Sequence, residues 1–217
     1  FLPLEVILSK IASAKDKGVK TFKIKVGRDS VADDIKIVSS IRNTFGSSIT
    51  IRLDANAKWK SNVAERIIKK FEQLDIQYIE QPVERSDEII QLAENTSVAI
   101  APDECIKSFD DVKTFFDSGR IRFLVLKPSQ LGSIFDTLNL IKESAEHNKV
   151  VIISSALESV VGRSAVNFIA SFCQHKFSHG LATGDFFNSD LAEDLYLINN
   201  GTINISKYPP EFEHVCC

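Results

Sequence analysis

The 217-residue chain has no methionine, one tryptophan, six prolines and nine glycines. With no methionine even at position 1, it is expected to be a piece of something longer. Four cysteines, at 105, 173, 216 and 217, are too few and too unevenly placed for a disulfide framework, and none forms a C-x-x-C pair. A reducing, intracellular compartment follows as the expectation. The adjacent Cys216 and Cys217 read as exposed thiols without a role. No apolar run of about 18 residues exists to span a bilayer. Glu5, Lys10, Lys15 and Asp16 make the leading segment a poor secretory signal. The 26 basic against 29 acidic side chains leave a net charge of −3, without the basic excess of a nucleic-acid surface. No G-x-G-x-x-G follows the first strand candidate, which removes the dinucleotide fingerprint.

What is present is an alternation of short Ile/Val/Leu/Phe runs with longer stretches whose apolar residues recur at three- and four-residue steps. The strand candidates are Thr21–Val26, Ile49–Leu53, Tyr78–Glu80, Val98–Pro102, Phe123–Leu126, Val150–Ser154 and, more weakly, Ser178–Ala182. Helical patterns lie between them, as in Ser133–His147, where Ile134, Leu138, Ile141 and Ala145 share one face. Pro3–Gly18 reads the same way, with Pro3 at the first turn and Gly18 at the end. Strands that are apolar throughout are covered on both faces, as parallel strands flanked by helices require. The interval between strands is about 25 residues, as βα units demand. The expected fold is therefore α/β, a TIM-like (β/α) barrel domain over residues 1–198, followed by a turn and tail at 199–217. An open doubly wound sheet is the alternative.

In such a barrel, chemistry sits where the strands end. Lys23 and Lys25 lie two apart on the first candidate strand; the next four end at Asp54, Glu80, Asp103 and Lys127. Residues two apart point the same way, so both lysines can enter the mouth while Phe22 and Ile24 pack against helices. Repulsion between the two ammonium groups is expected to lower at least one pKa, giving a base near neutral pH. Three carboxylates gathered at one mouth are costly without a cation, and oxygen-only ligation suits Mg²⁺. A plain ion-pair cluster, with Lys23, Lys25 and Lys127 balancing the three acids, satisfies the charge count equally well.

The order Lys-x-Lys, Asp, Glu, Asp, Lys breaks that tie, because it resembles the enolase superfamily. The resemblance rests on F-K-I-K-V-G (22–27), L-D-A-N-A-K-W (53–59), Y-I-E-Q-P (78–82), A-P-D-E (101–104) and V-L-K-P-S-Q-L-G-S (125–133). The stretches I-S-S-A-L-E-S-V-V-G (153–162) and H-G-L-A-T-G-D-F-F (179–187) are similar to the o-succinylbenzoate synthase family within it. The resemblance implies a Mg²⁺-dependent dehydratase of menaquinone and phylloquinone biosynthesis, with Mn²⁺ as a substitute ion and a small carboxylate as substrate. It implies Asp54, Glu80 and Asp103 as metal ligands, Lys25 as base and then acid, Lys23 as added charge, and Lys127 as charge and cation–π partner on the opposite face. Ser154, Ser155, Glu158 and Gly180 would position the substrate. A racemase or cycloisomerase of the same superfamily, and a non-catalytic scaffold, are the alternatives. The family's α+β capping domain and first barrel strand are missing from these residues and are expected in the full-length chain, which would be cytoplasmic, or plastid in a photosynthetic eukaryote. Neither nucleic acid nor membrane is an expected partner.

Other readings stay structural. Asn56, Gln81 and Glu104 read equally well as partners that orient the ligands and as direct contacts. Trp59 reads as packing at a helix start. The histidines at 147, 175, 179 and 214 share no spacing and read as structural or exposed. Glu158 has a second reading, as a cap for the helix that follows.

Overall fold

The computed structural model describes residues 1–187, 190–191 and 196–205. Along the barrel, α1 (Leu4–Asp16), β1 (Thr21–Lys25), α2 (Val31–Phe45), β2 (Thr50–Asp54), α3 (Ser61–Ile68), β3 (Ile76–Glu80), α4 (Ser86–Asn95) and β4 (Ile100–Ala101) come first. Then follow α5 (Phe109–Lys113), β5 (Phe123–Leu126), α6 (Pro128–Leu131), α7 (Ile134–Glu146), β6 (Val150–Ile153) and α8 (Val160–Ala170). Strands β1 to β4 pair in sequence order, all parallel, with Lys25 opposite Asp54 and Asp54 opposite Glu80. The parallel pair β5–β6 continues the curve, since the Val125 amide donates to the Pro102 carbonyl beyond β4.

The helices start where side chains satisfy their free amides. Ser30, Ser108 and Ser133 each accept a hydrogen bond from the amide three residues on. Ser133 is thus the cap of the helix expected over Ser133–His147, not part of it. Ile51 and Leu53 of β2 face the helices in the larger core, with Val38, Ile41, Ile68 and Phe71. A second core fills the barrel interior, where Tyr78, Ala101, Phe123, Val125 and Ile152 pack with Phe177. Opposite faces of the same strands feed the two cores, which is why the strand sequences are apolar throughout.

Two expected strands come out shorter. Val98–Pro102 contracts to Ile100–Ala101, because Pro102 has no amide to extend the ladder. Ser178–Ala182 makes a single parallel bridge, Gly180 to Ser154. Imidazole rings take the rest of the β6 edge: His175 Nε2 donates to the Val151 carbonyl at 2.8 Å, and the Ile153 amide donates to His179 Nδ1 at 3.0 Å. Among the described residues, no helix is long and apolar enough to cross a membrane.

Beyond the barrel, β7 (Ile198–Asn199) and β8 (Thr202–Ile203) form an antiparallel hairpin. Residues 206–217, which hold Pro209, Pro210, His214, Cys216 and Cys217, lie outside the described residues. The hairpin turn rests on the end of α1, where the Gly201 amide donates to the Lys17 carbonyl at 3.0 Å. Gly18 has φ +83°, and a Cβ there would fall 2.5 Å from the Asn200 carbonyl carbon. Gly18→Ala combines a disfavoured backbone with a clash against main chain, so its denaturant midpoint should drop by the equivalent of about 1–3 kcal/mol. An unchanged midpoint would show that this contact is not maintained in solution.

Candidate active site

The carboxyl ends of β1 to β3, with the residues just beyond β4 and β5, bring Lys23, Lys25, Asp54, Glu80, Asp103 and Lys127 into one network. The acids are almost wholly buried: Asp54 is 2% exposed, Glu80 1% and Asp103 4%. Lys23 Nζ lies 2.8 Å from Glu80 Oε1 and 3.4 Å from Asp54 Oδ2. Lys25 Nζ stands 3.5 Å from Asp54 Oδ2 with 63% of its side chain exposed, and Lys127 pairs directly with Asp103. The balanced set of ion pairs is therefore formed. Oxygens of the three acids do not all lie within 4.8 Å of one another, a spacing that among the described residues only ligand atoms of Cys173, His175 and His179 share.

The electrostatics correct one expectation. Burial works to lower the Lys23 pKa, but Glu80, Asp54 and Asp103 outweigh it and raise it. The acids facing Lys23 outweigh both its burial and the neighbouring lysine, so Lys23 is a fixed cation. Glu80 also moves up, well above the usual carboxylate range. Burial is the main cause, Lys23 opposes it, and Asp103 and Asp54 add to it. Both members of one pair shift upward because Lys23 faces several anions while Glu80 faces one near cation and two further anions. Burial therefore keeps Glu80 costly even with the lysines in place, and a hard divalent cation suits this all-oxygen donor set.

Three polar residues hold this arrangement. Asn56 accepts from Lys25 Nζ at 2.6 Å and donates to Glu104 Oε1 at 2.6 Å. Gln81 Oε1 accepts from the amides of Asp103 and Cys105, while its Nε2 donates to the Val83 carbonyl. Asn56, Ala57 and Gln81 all have positive φ, so backbone strain collects at the strand ends. Asp34 was not singled out in the sequence. Its buried carboxylate accepts from the Gly27 and Arg28 amides and pairs with the Arg28 guanidinium, fixing the loop that follows Lys25. Its place in the first turn of α2, seven residues beyond Gly27, carries no pattern that would single it out. Trp59 is buried packing, stacked on Phe71.

At the other side of the mouth, Ser154 is buried beside Gly180. Ser155 Oγ donates to Glu158 Oε2 at 2.5 Å and accepts from Thr183 Oγ1 at 2.9 Å. Glu158 does not cap α8: the Val160 amide donates to Asp190, while Glu158 Oε1 accepts from Ser129 Oγ at 2.6 Å and the Ala156 amide at 2.9 Å. Burial works to raise the Glu158 pKa, but these donors prevail and lower it. A lowered acid contributes stability above its unfolded pKa of about 4.3 and loses it as pH falls through the lower folded value. In an NMR titration, Glu158 should therefore stay ionised after typical glutamates have protonated; a midpoint at or above theirs would contradict the network.

The three described histidines play no part in this mouth. His147 is exposed and stacks on Phe116, His175 and His179 serve the β6 edge, and His214 lies outside the described residues.

Comparison with known proteins agrees on the fold. Residues 7–209 match the family described as "Enolase C-terminal domain-like". The o-succinylbenzoate synthase of Thermobifida fusca (strain YX) is 31% identical over 193 residues, covering 88% of this chain and 60% of that protein. The crystal structure of MenC from Desulfotalea psychrophila LSv54 superposes with a TM-score of 0.82 at 26% identity, over 93% of this chain and 57% of that one. A muconate cycloisomerase variant gives 0.85 at 20% identity, over 94% and 57%, a likeness of fold alone. The chain thus spans about three fifths of the length of the proteins it matches.

Proposed function

The chain belongs to the enolase C-terminal domain-like family, and from that premise we propose that it carries the catalytic barrel of an o-succinylbenzoate synthase. The reaction is loss of water from 2-succinyl-6-hydroxy-2,4-cyclohexadiene-1-carboxylate. The observation that carries this reading is the asymmetry of the two flanking lysines. Lys127 is 16% exposed and clamped to Asp103, whereas Lys25 is largely exposed and held at its tip by Asn56. One accessible amine opposite a buried, acid-paired one suits a single base returning its proton on the same face; exchange between two opposed bases, as in a racemase, needs both accessible.

Asp54, Glu80 and Asp103 would hold Mg²⁺, which when bound supplies charge to stabilise the substrate carboxylate as the neighbouring carbon becomes anionic. Lys25 Nζ takes the proton from that carbon. The electron pair moves into the ring, the C–O bond breaks, and Lys25 returns the proton to the departing hydroxyl as water. Asn56 orients Lys25, and Gln81 holds the backbone of Asp103 through its amide. Lys23, its pKa raised by the acids around it, keeps its proton, and Lys127 adds positive charge from its pairing with Asp103. Ser154, Ser155, Glu158 and Gly180 shape the far wall, where the succinyl arm would lie.

The test uses the protein at its full natural length with Mg²⁺ and the cyclohexadiene substrate. A rise in aromatic absorbance with one water lost per turnover is expected. Substrate consumed without aromatisation would indicate an isomerase, and no consumption by folded protein would support a scaffold; either result overturns the reading.

A further inference from the structure

We propose that Cys173, His175 and His179 form a second metal site, distinct from the strand-end carboxylates and suited to a zinc-like divalent ion. The three residues lie on the segment that follows α8 and crosses the free edge of β6, and one ligand atom from each falls within 4.8 Å of the others. One thiol and two imidazoles are the donors that zinc and cobalt prefer and Mg²⁺ avoids, so the two sites sort ions by hardness. Three protein ligands leave a fourth tetrahedral position for water. A cavity of about 430 Å³, lined by Cys173 and His175 though not by His179, adjoins the group and provides an entry path. Its two cations are turned aside: Lys149 Nζ donates to the carbonyls of Ser118 and Ile121, and Arg122 lies over the rings of Phe123 and Phe177.

The hydrogen bonds set the character of the site. A carbonyl can only accept, so His175 carries its proton on Nε2, facing Val151, and keeps its lone pair on Nδ1. A ring N–H held by a backbone carbonyl is the support that metal-ligating histidines commonly have. That Nδ1 lone pair accepts from the Phe177 amide at 3.2 Å, and His179 Nδ1 accepts from the Ile153 amide at 3.0 Å. The ion must compete with these amides, so the site exchanges its metal rather than serving as a permanent staple. Binding releases the Cys173 thiol proton to solvent. Because His175 and His179 also satisfy the β6 edge, metal occupancy is linked to how that edge is bonded.

Co²⁺ is the probe, added to metal-stripped full-length protein in excess Mg²⁺ so that the carboxylate centre is already filled. One equivalent should give the near-ultraviolet thiolate-to-cobalt absorption with the visible bands of a tetrahedral ion, and Zn²⁺ should abolish both. Cys173→Ser should lose the thiolate band and keep its circular dichroism, since both histidine contacts to β6 remain. His179→Gln should weaken Co²⁺ binding at least tenfold. No thiolate band in the wild-type protein overturns the proposal, as does an unchanged band in Cys173→Ser, which would point to another cysteine. Should Cys173→Ser misfold, alkylation of the wild-type protein decides: Zn²⁺ must slow modification of Cys173, located by mass spectrometry, and an unaltered rate overturns the site.

Discussion

Lys25→Ala should lower turnover by about 10²–10⁴-fold while leaving the unfolding transition nearly where it was. The two halves of this expectation come from different features. As the proposed base, Lys25 is the group that moves the proton, and no neighbouring amine can replace it: the pKa of Lys23 is raised by Glu80, Asp54 and Asp103, and Lys127 is paired with Asp103. In the folded protein, however, Lys25 is an exposed side chain whose contacts are one ion pair and one hydrogen bond to Asn56, and such pairs contribute little to stability. The substitution should therefore act on kcat with KM nearly unchanged. A large fall in stability, or activity within a few-fold of wild type, would remove Lys25 from the role of base.

Glu80→Gln should separate metal binding from stability in the opposite sense. Loss of one carboxylate of three should weaken Mg²⁺ or Mn²⁺ by at least about 10–100-fold, the range already seen when only a ligand's supporting partner is lost. In metal-free protein the same change should leave the unfolding midpoint unchanged or raise it, because a carboxyl whose pKa is raised on folding costs stability once ionised. Glu80 is buried, and burial, Asp103 and Asp54 together raise its pKa against the pull of Lys23, so its charge is a net burden on the folded state. A neutral amide of the same shape relieves that burden and can still accept from Lys23. Calorimetric titration with Mn²⁺ and chemical denaturation in chelator measure the two effects. A variant that binds metal normally, or one that unfolds far more easily without metal, would contradict the account of this centre.

The chemistry was legible where charge breaks an apolar strand. Five strands that end in Lys, Asp, Glu, Asp and Lys violate the expectation for a buried parallel sheet, and the register then places Lys25, Asp54 and Glu80 side by side. The helix from Ile134 was legible from its apolar period, but the capping role of Ser133 was not. Residues acting through loop geometry were harder to see. The grip of Gln81 on the Asp103 amide depends on a positive-φ turn that no spacing announces. Asp34 holds the β1 end from the first turn of α2 and reads in the sequence as one acidic helix residue among several. The Cys173, His175 and His179 grouping escaped notice because its residues sit on irregular chain, where neither helical nor strand periodicity brings them to one face. The raised pKa of Lys23 was not legible, because its sequence neighbour is a lysine while its spatial neighbours are acids.

The most direct test of the central claim is a crystal of the full-length protein soaked with Mn²⁺ and measured for anomalous scattering. The account predicts one strong peak with carboxylate oxygens of Asp54, Glu80 and Asp103 at about 2.0–2.2 Å, and the amines of Lys25 and Lys127 on either side of it. A peak elsewhere, with those acids still paired to Lys23 and Lys127, would contradict it.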